Sequence, residues 1–95
     1  MDVKEAARIA TATVASLFKD QQISNIMLEE VDFEELPDTW SITVGFFRQA
    51  EMDSQSIAGS ISKLIGRQRS FKVVRIRDSD GKILSVKHRS VIGVD

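Results

Sequence analysis

From Val3 onward, apolar or small side chains return every three or four positions. Val3, Ala6, Ile9, Ala10, Thr13, Val14, Leu17 and Phe18 form one stripe, with Lys4, Glu5, Arg8, Ser16 and Lys19 on the other side. A period near 3.6 predicts an amphipathic helix over about residues 2–19. Asp2 followed by Glu5 resembles a capping box, with Asp in the usual Ser/Thr place. The small alanines suit close approach to a sheet. The polar side mixes charge signs, which argues for packing on a core rather than on a membrane surface.

The period then changes to two. Trp40, Ile42, Val44 and Phe46 alternate with Ser41, Thr43 and Gly45, the pattern of a half-buried strand. Ahead of it, Met27, Val31 and Phe33 fall on one parity and Ile26, Leu28, Glu30 and Asp32 on the other. Pairing Phe33 with Trp40 and Val31 with Ile42 makes a hairpin over about residues 26–47, turning near Pro37-Asp38. Glu29 would then point inward beside Val44, at the cost of burying a charge, unless a bulge turns it outward.

Residues 48–69 are rich in Ser, Gln and Gly and resemble a loop. Ile57, Ile61, Leu64 and Ile65 nevertheless recur at helical spacing, with Asp53 or Ser54 as cap and Gly66 as stop, so a short second helix is the favoured reading. A second hairpin follows over about residues 70–91. Ser79-Asp80-Gly81 reads as a three-residue loop, with Gly81 in the left-handed region. That loop pairs Ile76 with Leu84 and Val74 with Val86 on the core side. It sets Arg77 by Ile83, Arg75 by Ser85, Val73 by Lys87 and Phe71 by Arg89 on the other.

Together these elements predict a single α+β domain, residues 1–95. An N-terminal helix packs on one face of a four-stranded antiparallel sheet built from two hairpins. The helix is expected to cover Trp40, Ile42, Val44, Phe46, Val74, Ile76, Leu84 and Val86. The opposite face then carries Glu30 and Asp32 at one end. At the other it carries Arg75, Arg77, Lys87 and Arg89 around Phe71 and Val73.

The second hairpin also carries a resemblance. Residues 6–18, the strand Trp40-Ser41-Ile42-Thr43-Val44, and Phe71-Lys72-Val73-Val74-Arg75-Ile76 leading into Asp78-Ser79-Asp80-Gly81-Lys82-Ile83-Leu84 resemble a PepSY-type module, one of the small cystatin-like folds. The resemblance implies a non-catalytic binding or inhibitory module, and no site residue of that family maps onto this chain. The 48–69 segment departs from the family pattern. PepSY modules are usually extracytoplasmic or membrane-tethered, whereas Met1-Asp2-Val3-Lys4-Glu5 does not read as an export signal.

Composition narrows the chemistry. An apolar fraction of 42% suffices for a core, and there is no cysteine for disulfides or thiolate ligands. No stretch reaches the roughly 18 apolar residues of a membrane helix, so a cytoplasmic protein without membrane contact is expected. His88 is the only histidine, and its parity predicts a partly buried structural residue. One His and no Cys leave no nitrogen or sulfur metal site. The acidic run Glu29, Glu30, Asp32, Glu34, Glu35 and Asp38 lacks calcium-loop spacing. Gly59 and Gly66 are too isolated for a phosphate loop. Neither an enzyme nor a cofactor is expected.

Charge is divided along the chain. Residues 1–53 hold eleven acidic and four basic side chains, and residues 54–95 hold three and nine, a balance of −7 followed by +6. Two halves that fold onto each other, or a charged partner, both fit. The favoured reading is a protein-interaction module, with another protein or a second copy bound on the face opposite the helix. Arg75, Arg77, Lys87 and Arg89 would orient the partner and Phe71 and Val73 anchor it, with Ile26, Leu28 and Phe47 adding apolar contact. The alternative is single-stranded nucleic acid held by the basic second hairpin. A purely structural reading pairs the arginines with Glu30 and Asp32 across the sheet.

Overall fold

Asp2 accepts a hydrogen bond from the Glu5 amide at 2.9 Å and starts α1, Val3–Leu17. Glu5 does not close the box; its carboxylate takes Arg8 instead, at 2.6 Å. In this computed structural model, which describes residues 1–48 and 69–90, Ala6, Ala10 and Val14 make the fully buried line of the helix. Ile9 and Phe18 pack beside it. Val3 and Leu17, expected on the same stripe, lie at its margins and are 47% and 59% exposed. The helix stops at Leu17 rather than 19, and a single 3-10 turn, Lys19–Gln21, leads on.

The sheet has four antiparallel strands in chain order. They are β1 (Ile23–Glu35), β2 (Asp38–Arg48), β3 (Arg69–Arg77) and β4 (Ile83–Arg89). The expected α+β architecture is therefore the observed one. The expected second helix lies outside the described residues. The core sits between α1 and one sheet face, where Ile42, Val44, Phe46, Val74 and Ile76 meet Ala6, Ala10 and Val14. The Phe18 ring stacks on Phe46 at 5.7 Å and closes one end.

The first hairpin keeps the expected pairs Val31 with Ile42 and Phe33 with Trp40. Two irregularities in β1 then change which side chains face the core. Asn25 and Ile26 stand together against Phe46, and Asn25 takes a left-handed φ of 54°, which asparagine tolerates better than most residues. Glu29 is the extra residue between Leu28, opposite Val44, and Glu30, opposite Thr43. The bulge at Glu29 is thus real and carries its carboxylate off the core side. As a result Ile26 packs against the core, Leu28 shares the helix-side parity and Met27 faces outward beside Gly45. The uninterrupted alternation predicted the reverse.

The second hairpin differs from expectation at its turn. Arg77 donates its amide to the Lys82 carbonyl at 2.9 Å and accepts from Gly81 at 2.8 Å, so the loop has four residues, 78–81. Gly81 has a φ of 73°, as the turn chemistry requires. The four-residue loop brings Ile83, not Leu84, opposite Ile76, and a bulge at Leu84 restores the pairs Arg75 with Ser85 and Val74 with Val86. Leu84 is consequently 37% exposed while Ile83 packs against the core.

Asp78, at the start of that turn, ties three segments together. Its Oδ1 accepts from Trp40 Nε1 at 2.9 Å and from the Met1 amino group at 3.0 Å, while its amide donates to the Asp38 carbonyl. The Trp40 hydrogen bond, and then that from Met1, hold its carboxyl below the usual aspartate value. Asp80 is lowered too, first by the Lys82 amide.

Candidate interaction face

Val74 and Ile76 are buried under α1, so their neighbours Phe71, Val73, Arg75 and Arg77 point to the other side of the sheet. Arg89 and Lys87 stand opposite Phe71 and Val73. All six candidate residues therefore share one face, and among the described elements none packs on it. The face is not an open basic patch, however.

The outward positions of β2 ahead of Phe47 are Thr39, Ser41, Thr43 and Gly45. Short side chains there make a trough along the sheet, and longer ones from both flanks close over it. Thr39 and Thr43 are only 1% and 5% exposed. Arg69 on β3 reaches Glu29 on β1 across Gly45. Arg89 on β4 reaches Glu30 on β1 and donates to Thr43 Oγ1 at 3.2 Å. Arg75 pairs with Glu34 at 3.6 Å, and Arg77 with Asp80 at 3.1 Å in its own turn. The Arg69 guanidinium also lies 5.5 Å from the Phe47 ring centre and 5.3 Å from that of Phe71, within cation–π range.

The acidic half and the basic half thus meet on this face. The Glu–Arg pairs are partly solvated, so each contributes about 0.2–1 kcal/mol; together with Arg77–Asp80 they leave the face close to neutral. Among the described residues, Asp32, expected to share the arginines, forms no ion pair, and neither does exposed Lys87. The participants missing from the sequence reading are Glu29, Glu34, Gly45 and Arg69. Their signal was the run of small residues at alternate positions of β2, flanked by strands of opposite charge. His88 lies on the helix-side parity as expected, but it is exposed rather than partly buried.

Among the described residues, no group of three or more His, Cys, Asp or Glu is placed to hold a metal. None of their helices is long and apolar enough to cross a membrane. An open groove of about 350 Å³ runs along α1, lined by Arg8, Ile9, Ala12, Thr13, Ser16 and Leu17. No family model, curated protein or solved structure matches this chain.

Proposed function

We propose that this chain is a non-enzymatic interaction module of the cytoplasm that binds another protein, a second copy included, through the sheet face opposite α1. The observation that carries the reading is the shared orientation of Phe71, Val73, Arg75, Arg77, Lys87 and Arg89 on a face to which no described element contributes a cover. The ion pairs refine their roles. Arg75, Arg77 and Arg89 belong to a braced, nearly neutral lattice that presents a fixed pattern of donors and acceptors. Phe71 and Val73 supply apolar area between them, and Lys87 at the open edge supplies a charge that no described residue pairs. Such a surface suits a polar protein partner. A polyanion would have to displace glutamates from three arginines, which argues against nucleic acid as the ligand.

The test compares capture from native lysate by the parent protein and by Val73→Lys and Lys87→Glu, each checked for folding by circular dichroism. A protein retained by the parent and lost by both variants supports the reading. Retention by both would remove this face from the interaction. Loss on nuclease treatment would replace the protein partner with nucleic acid. Sedimentation of the purified chain identifies the self-associating case, in which the same two variants shift the dimer to monomer.

A further inference from the structure

With Arg8, Arg69, Arg75, Arg77 and Arg89 paired to carboxylates, the other lysines and arginines among the described residues are of two kinds. Lys4, Lys19, Lys82 and Lys87 are exposed and solvated. Arg48 and Lys72 are half-buried, on the helix side of the sheet beside the C-terminal end of α1. The Lys72 ammonium sits 5.1 Å from the Phe18 ring centre, and the Arg48 guanidinium 5.9 Å from that of Phe46. Those two rings stack on each other. One aromatic platform therefore carries two cations, and among the described residues no carboxylate pairs with either. Arg48 Nε is buried without a hydrogen-bond partner, an arrangement that ordinarily carries a penalty.

We propose that Arg48 and Lys72 form a binding site for a doubly charged oxyanion of the phosphoryl type, separate from the interaction face on the other side of the sheet. The two cations are near enough for the Arg48 charge to act on Lys72, and both side-chain types bind phosphoryl oxygens. His88, directly opposite Lys72 in the register, adds an imidazole at the solvent side. Beside the two cations, Val14 O accepts from Phe18, Phe18 O from Gln21 and Lys19 O from Gln22. Burial, and then the Arg48 charge, push the Lys72 amine below its ordinary value, and no carboxylate offsets them. A bound anion would relieve both effects.

The experiment titrates the isotope-labelled full chain with inorganic phosphate at constant ionic strength and follows backbone and side-chain NMR signals. Saturable shifts centred on Phe18, Arg48, Lys72 and His88 are expected. Lys72→Gln and Arg48→Gln should each weaken binding about tenfold, as loss of one charged hydrogen bond does. Lys4→Gln should leave it unchanged. The conservative variants Lys72→Arg and Arg48→Lys should retain binding, which separates loss of the site from loss of the fold. Shifts that spread over the exposed lysines without saturating would overturn the site. So would affinity unaltered in the two glutamine variants. Substituting O-phosphoserine for inorganic phosphate distinguishes a free ion from a phosphate monoester as the ligand.

Discussion

A methyl group at position 45 would land 2.5 Å from Arg69 Nη2, 2.8 Å from Glu29 Oε2 and 3.0 Å from the Phe71 ring. Gly45 is therefore what lets Glu29 and Arg69 meet across β2. Gly45→Ala should displace the pair and cost about 1 kcal/mol. The same substitution in a Glu29→Gln background should cost measurably less, and a double-mutant cycle in urea checks this. Asp78 supports a prediction of a different kind. Its folded carboxyl is held below its ordinary value of 3.8, so its contribution is complete above that value and disappears as the pH falls through the folded one. Melting temperature should drop with acid in the parent chain, and less steeply in Asp78→Asn. Trp40, the only tryptophan, reports on that junction by fluorescence.

Among the elements, α1 depends on a single side-chain cap at its start. Asp2→Ala should destabilise the fold by about 1 kcal/mol, read as a drop in melting temperature of roughly 4–8 °C for a domain of this size. The helix, the first hairpin and the alternation of β3 were legible because their periodicity was strong and their breakers few. Bulges were not, because an extra residue inverts the parity of everything beyond it while changing no residue type. Glu29 was the exception, since a carboxylate aimed at the core signals its own bulge. Leu84 gave no such signal. Being apolar, it fitted the core position as well as Ile83 does, and only the backbone pairing of Arg77 with Lys82 decides between them. At the candidate face, the shared orientation of six residues was readable from parity. Their occupancy by glutamates was not, because it depends on β1 lying two strands from β3 and on the shallow trough of β2.

For the whole molecule, the division of charge along the chain becomes a division across the sheet. Three pairs, Glu29–Arg69, Glu34–Arg75 and Glu30–Arg89, join the half that precedes residue 49 to the half that follows residue 68. So does the β2–β3 seam, whose register runs from Thr39 with Arg77 to Phe47 with Arg69. The three side-chain ion pairs across this surface are thus non-covalent and complementary in sign. A chain cut once between Arg48 and Arg69 should behave as a matched pair of fragments. Neither should hold the sheet alone, and mixing should restore Trp40 fluorescence and the circular dichroism of the intact protein. Association should slow as salt screens the opposite charges, whereas the reassembled state should change little. Two oppositely charged pieces that recognise each other through this seam would make the domain a template for split-protein reporters, with the charge pattern serving as the address.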